Sequence, residues 1–465
     1  MSAYNNYSWI QTELSGLYGA NVIREMEEII DLYAWYDGTA QDWDVATGLN
    51  YRPTRMRTNF IKKLIKEEAR FMLSRTPEMR IVPDSESDRN SADAAEAWLK
   101  WVLDNTRFKT KLIKGGRDCF IGKRVAMKLT GSEKDALNVS FHSSLEFVFE
   151  TDEADAGIIT KIIFFYQVTS DETDRSRQRI WRQKYWIEDG RCLLSEALYD
   201  GYGREMEAFH ERTDTGLDFI PAYVIINDGL TGDVSGESDV AELKDNQDIY
   251  NHLKSDDADA MKFNMFPMRV FTDASQDSMD AVTIAPNAVI DLSTDPATEG
   301  RQASAGILES GFNYGEQMEN TLNRLKSDMH DLISVPNVTP EELKGTAMSG
   351  KAMRALYWNL ICRCEEKWGE WDDALKWMVE HLIKMGRTYG KLEVPEFRHS
   401  ISVEHLYPVA DDDEDERMND ITEVNAQVRS KRGYIAKWQP DADADGELKQ
   451  IAREQTLLSD GFAGV

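Results

Sequence analysis

From Lys351 to about Thr388, apolar residues recur at steps of three and four without a break: Met353, Leu356, Leu360, Cys364, Trp368, Trp371, Leu375, Met378, Leu382 and Met385. That period belongs to one helix with one buried stripe. At 1.5 Å per residue the helix is expected to run roughly 55 Å. The rest of the chain has to be organised around that rod.

Just before it, residues 312–334 carry a second seam, Tyr314, Met318, Leu322, Leu325, Met329 and Leu332, which Pro336 ends. The polar loop PNVTPEELKGTAMSG separates the two helices. Upstream, a helix is expected to start at the N-cap Ser238, with Asp239 and Glu242 in its first turn, and to end at Pro267. Between this helix and the 312–334 helix lie two short β-rich runs, MRVFTD and VTIAPNAVIDLS, followed by a polar, glycine-containing stretch to Gly311. Strands are expected at Val270–Thr272 and Val282–Ile290.

The N-terminal half changes character once. Helical spacing is read over 21–36 (Val22, Met26, Ile29, Ile30, Tyr33), 57–75 (Phe60, Ile61, Leu64, Ile65, Ala69, Met72) and 91–105 (Ala94, Ala95, Trp98, Trp101, Val102), with a further piece from 109. From 122 to 226 the runs KRVAMKLT, ALNVSFHS, EFVFET, GIITKIIFFYQV, RIWRQKYWIED and AYVIIND read as strands. The class is α+β with an antiparallel sheet region. After the strand-like ISVEHLY, the run Asp411–Glu416 opens a helix with Ile421, Val424 and Val428 as its stripe. Arg429, Lys431 and Arg432 fall in its last turn and Gly433 is its expected C′ residue. A last helix covers about 446–458.

Charge narrows the function. Asp and Glu total 83 against 54 Lys and Arg, a net charge of −29 over 465 residues. Such a chain repels free nucleic acid, although a pore that DNA must pass without sticking remains compatible. Hydrophobic residues at 41% supply a real core. The length allows two or three domains at about 150 residues each. Cys119, Cys192, Cys362 and Cys364 make no CxxC and no disulfide framework, which is the usage of a reducing compartment. The start MSAYNNYSWIQTELSG shows no basic-then-apolar leader, and no window reaches 18 apolar residues, so no membrane partner is expected.

Candidate chemistry is thin. Gly345–Lys351 matches GxxxxGK, but Ala352 stands where a P-loop needs Ser or Thr, and no strand precedes it. Asp441, Asp443 and Asp445 mimic half a calcium loop, but position twelve is Ala452 rather than Glu. Asp411–Glu416 is a consecutive run, whereas catalytic metal sites gather carboxylates from separate elements. His142, His210 and His252 sit in no catalytic motif. Trp98/Trp101 and Trp368/Trp371/Trp377 stand at helical spacing, as packing residues do. No cofactor and no enzyme site is expected.

The order of elements does carry information. Ala69–Pro77, the stretch Phe219–Asn227 (FIPAYVIIN), Ser238–Asn251 with its S-D…D-x-Y-N pattern, Ser349–Leu356 (SGKAMRAL) and Asp445–Leu448 with Glu454 follow one another as in the portal proteins of tailed bacteriophages, which this chain resembles. The resemblance implies a portal-type α+β fold. Its parts would be a wing (1–237 and, with the long helix, 350–410), stem helices (238–266 and 312–334), an α/β clip (267–311), a tunnel loop (335–349) and a helical crown (411–465). It also implies a homo-oligomeric ring of twelve copies at one capsid vertex, in the virion and, during assembly, in the host cytoplasm. Implied partners are double-stranded DNA in the channel, the terminase large subunit, a head-completion or adaptor protein, the major capsid protein and a scaffolding protein.

On that reading Asn337, Thr339, Glu341, Glu342, Lys344 and Lys326 are expected at the DNA channel. Arg269, Phe271, Asp273, Ile284 and Val289 are expected at the clip docking surface, and Met318, Leu322, Leu325 and Met329 in an inter-subunit seam. Two rivals remain at this point. One is a metal-dependent nucleic-acid-processing enzyme using Asp411–Glu416 or Asp441–Asp445; the other is a different oligomeric virion or tail component.

Overall fold

Helix α1 (Ser15–Asp37) buries Met26, Ile29, Leu32 and Tyr33, and α2 (Phe60–Leu73) buries Ile61, Leu64, Ile65, Ala69 and Met72. These are three-and-four stripes, and the two helices share one core. The computed structural model describes residues 15–41, 43, 51–168, 174, 176–265, 268–280, 292–296, 302–308, 314–338, 350–409, 413–439 and 443–462. α2 begins at 60 rather than 57, because Asn59 caps it: its side chain accepts the Lys62 N–H at 2.8 Å. β1 (Glu78–Pro83) follows and pairs antiparallel with a strand near the other end of the chain, so nothing local announces it.

α3 (Arg89–Asn105) turns through Arg107, in the left-handed region at φ 54°, into α4 (Phe108–Gly122). The buried face of α3 is Ala92, Ala95, Leu99 and Val102. The expected face was therefore out of phase: Ala94 is exposed and Trp101 is 61% exposed. Trp98 is half-buried and closes over Gly386, where an added Cβ would meet its ring at 2.7 Å.

The strands between 124 and 226 form two antiparallel sheets. β2 (Arg124–Thr130) lies between β3 (Asn138–Ser143) and β9 (Ala222–Ile226), and α4 packs against β2 and β3. The second sheet is a five-stranded meander of β4 (Phe147–Thr151), β5 (Ile159–Gln167), β6 (Ile180–Glu188), β7 (Arg191–Tyr199) and β8 (Glu205–Asp214). β7 and β8 were not anticipated. The β6–β7 turn is Asp189–Gly190, both at positive φ, which is the hairpin signal the sequence carried. β8 is exposed along its whole length, so it has no alternation to read.

α5 (Asp239–Met265) leads to β10 (Met268–Thr272), a five-residue helix α6 (Gln276–Asp280), β11 (Ser304–Leu308) and α7 (Gly315–Leu332). β10 pairs antiparallel with β11, Arg269 facing Ile307, and α5 packs against α7. The partner of β10 thus comes from the stretch read as polar, while 282–290 lies outside the described residues.

The long seam resolves into α8 (Gly350–Leu356) and α9 (Trp358–Thr388), interrupted at Tyr357. The expected single helix is therefore broken; one non-helical residue without Gly or Pro leaves a three-four period intact. From Leu360 onward the predicted stripe is buried, with Cys364, Trp368, Trp371, Leu375, Met378, Leu382 and Met385 all inside. β12 (His399–Glu404) then completes the pair with β1.

The chain divides into two compact units, one of 1–337 with 359–407 and one of 338–358 with 408–465. In the second, α10 (Asp413–Asn425) opens in the acidic run, as expected. It ends before the basic residues, however. Gln427 turns left-handed at φ 62°, Ser430 accepts the Gly433 N–H at 3.0 Å, and α11 (Lys431–Trp438) begins. Gly433 therefore sits inside a first turn rather than past a last one. Two of the three residues of the expected stripe are exposed, Ile421 and, at 81%, Val428, while Val424 is half-buried. Buried Asp420 accepts from Trp438 Nε1 (2.7 Å), Lys437 Nζ (2.9 Å) and Arg429, and the Lys437 bond leads in holding its carboxyl below the usual range. α12 (Ala444–Phe462) closes the chain.

Candidate functional site

α9 presents Arg363 and Lys367 one turn apart on one face, and both reach the first residue of α5. Lys367 Nζ lies 2.6 and 2.9 Å from the Asp239 carboxylate oxygens, 2.8 Å from Asn227 Oδ1 and 3.4 Å from Glu68 Oε1. It also stands 4.1 Å from the Phe120 ring centroid. Arg363 Nε donates to Glu68 Oε1 at 3.0 Å. Its two terminal nitrogens donate to Asp239 (2.9 Å), Glu242 (3.2 Å) and the Leu332 carbonyl at the end of α7 (3.4 Å). Asn227, just past β9, donates to the Glu237 carbonyl at 2.8 Å and to Asp239 at 3.2 Å. Ser238 caps α5, donating to the Ile121 carbonyl at 2.6 Å and accepting the Val240 N–H at 3.2 Å.

Two buried carboxylates thus face two cations, and α2, β9, α5, α7 and α9 meet there. Burial, reinforced by Asp239, pushes the Glu68 carboxyl up to about 7. Burial also acts to raise Asp239, but Lys367 and then Arg363 outweigh it and hold that carboxyl low. Lys367 is desolvated too, yet Asp239 and Glu68 keep its ammonium charged beyond the ordinary lysine range. Every strong hydrogen bond closes within the cluster, so its chemistry is that of a structural joint. The sequence pointed to Asn227, Ser238 and Asp239 through the portal-like motifs. It did not point to Glu68, Arg363 or Lys367, which sit on helices as ordinary charged residues.

A second polar device lies along α5. Gln247, Asn251, Ser255 and Asp259, spaced by four, are all buried. They accept from the backbone N–H groups of every second residue of segment 54–60. Phe60 bonds Gln247 at 2.8 Å, Thr58 bonds Asn251 at 2.9 Å, Met56 bonds Ser255 at 2.9 Å and Thr54 bonds Asp259 at 2.8 Å. The match is geometric. Four helical residues rise about 6.0 Å and two extended residues about 6.6 Å, so one helix face serves as a strand partner. Gln247 also returns a bond to the Thr58 carbonyl at 2.6 Å, and Asn251 donates to Gln41 at 2.8 Å. The sequence reading singled out neither this polar stripe on α5 nor its strand-like occupant.

The expected site residues scatter. On α7, Met329 is buried and Met318, Leu322, Leu325 and Lys326 are half-buried. Beyond α7, Ser334 turns left-handed at φ 56° and the buried His330 imidazole donates from Nδ1 to the Val335 carbonyl at 3.0 Å. Burial lowers the affinity of His330 for a second proton. Asn337 is exposed, and Thr339, Glu341, Glu342 and Lys344 lie outside the described residues. Arg269 is exposed on β10, Phe271 and Asp273 are half-buried, and Ile284 and Val289 lie outside the described residues. The Asp443 carbonyl accepts the Glu447 N–H at 2.9 Å at the start of α12. Asp441 lies outside the described residues, as does the side chain of Asp445. Among the described residues no three His, Cys, Asp or Glu side chains gather as a metal site. None of their helices is long and apolar enough to cross a membrane.

The family model described as phage portal protein, SPP1 Gp6-like, matches residues 18–457. No curated protein matches the chain.

Proposed function

The chain belongs to the phage portal proteins of the SPP1 Gp6-like family, and from that premise we propose how it forms and works a DNA conduit. As a portal protein it is a structural component of the virion that serves DNA packaging. In our reading, twelve copies ring one capsid vertex around an axial channel. Residues 238–266 and 312–334 form the stem, with Met318, Leu322, Leu325 and Met329 in the inter-subunit seam. Residues 267–311 form the clip, where the terminase large subunit docks during packaging and an adaptor replaces it afterwards. Major capsid and scaffolding proteins surround the ring during assembly in the host cytoplasm.

The observation that carries this reading is the hairpin of chain from α5 through the β10–β11 ribbon to α7, rooted at the Arg363–Lys367 cluster. A ribbon whose Arg269, Val270 and Ile307 are exposed suits docking by edge or surface. The loop 335–349 constricts the channel in this account. Glu341 and Glu342 keep phosphates from lodging, while Lys344 and Lys326 touch the DNA backbone in passing. A net charge of −29 serves the same end, because carboxylate-lined walls keep DNA sliding rather than bound. Deleting 275–304 tests the clip assignment. Particles carrying the deletion should assemble the wing yet fail to bind terminase or adaptor, and DNA packaging by such particles would overturn the assignment.

A further inference from the structure

In a chain this acidic, residues 52–70 stand out, with seven Arg or Lys against two Glu. Part of that charge is answered locally, Lys62 by Asp37 at 2.9 Å and Lys63 by Glu67 at 4.0 Å. The segment pinned on α5 is different. Arg52, Arg55 and Arg57 are exposed and have no acidic partner among the described residues; Arg57 donates to the Gly38 carbonyl at 3.2 Å. The backbone bonds to Ser255, Asn251 and Gln247 fix this strap without using any arginine side chain.

Apolar groups accompany the arginines. Met56 is 37% exposed beside them, Tyr51 sits edge-on to Phe263 at 5.0 Å, and Phe263 and Met265 are 48% and 73% exposed. Arg, Met and aromatic side chains together are the composition of a protein–protein interface. We propose that this arginine strap is where a second copy of the chain places its carboxylate-rich surface when the ring assembles.

The inference rests on the ring reading and adds the surface that makes a ring of such subunits possible. Subunits of charge −29 repel one another, so a closed assembly needs a local inversion of sign at the contact. The strap supplies that inversion. Duplex DNA is the weaker candidate occupant. Three exposed arginines per subunit without acidic partners among the described residues, repeated around a ring, would clamp phosphates by counterion release and oppose sliding.

The test sediments the full-length protein, as wild type, R52E/R55E and R52K/R55K, over a range of concentrations at about 0.05 and 0.5 M NaCl. Wild type should assemble, and less readily in high salt. R52E/R55E should need at least about tenfold more protein to assemble, with an unchanged melting temperature, because the strap is held through its backbone. R52K/R55K should recover much of the assembly. Wild-type assembly by R52E/R55E would overturn the proposal with the ring reading intact; loss of duplex DNA retention by that same variant would assign the strap to DNA instead. A wild type that stays a single chain at every concentration would overturn the ring reading itself, and the proposal with it.

Discussion

Lys367 Nζ stands 2.6 Å from Asp239 Oδ2, with 5% of Lys367 and 1% of Asp239 open to solvent. One residue opens α5 and the other lies nearly three turns past the break at Tyr357, so this pair fixes where two long helices meet. Arg363 extends the tie to Glu68 on α2 and to the Leu332 carbonyl that ends α7.

Lys367→Met removes one cation and leaves Asp239 buried beside Glu68. Breaking a buried pair from one side costs about 3–5 kcal/mol. Urea unfolding should show a loss of that size, while Lys376→Met, on the exposed face of α9, should change stability little.

Glu68 links stability to pH. Burial raises its folded value to about 7, above the ordinary glutamate value of 4.5. Below 4.5 both states hold the proton; between 4.5 and about 7 the unfolded chain has released it and the folded chain has not. The contribution of Glu68 is therefore full below that window, and is lost as pH rises through it by about 1.4 kcal/mol per pH unit, roughly 3 kcal/mol in total. Glu68→Gln should flatten this slope in unfolding curves measured from pH 4.5 to 8. A variant with the wild-type slope would assign the linkage to another group.

The ladder along α5 predicts a pattern in amide exchange. Met56, Thr58 and Phe60, whose N–H groups bond Ser255, Asn251 and Gln247, should exchange slowly, and Arg55 and Arg57 between them quickly. Asn251→Ala should speed the Thr58 amide selectively and cost about 1–3 kcal/mol, because it leaves the Thr58 N–H without its acceptor and Gln41 Oε1 without its donor. Uniform exchange across 54–60 would contradict the ladder.

Much of the fold was legible where packing imposes a period. The α9 stripe from Leu360 to Met385 is buried as its spacing requires, and the strands β2 to β6 and β9 stand where their runs were read. What escaped were features without a local signature. β8 is exposed on both faces, and β1 finds its partner only in β12. Tyr357 interrupts the helix without disturbing the apolar period. On α3 two adjacent faces both carried apolar residues, and the one with Trp101 proved to be the outer one. Motif residues led to Asn227 and Asp239, but the charges that complete the joint come from α2 and α9, where Glu68, Arg363 and Lys367 look like any surface charge in the sequence.

The central claim is that this chain closes into a ring around a channel. Electron microscopy of the purified full-length protein, with its native mass, tests it most directly. The account predicts closed rings of well over half a megadalton, about twelve copies each, with an axial opening that admits duplex DNA. Single chains or open, irregular aggregates under conditions where the protein is folded would contradict it.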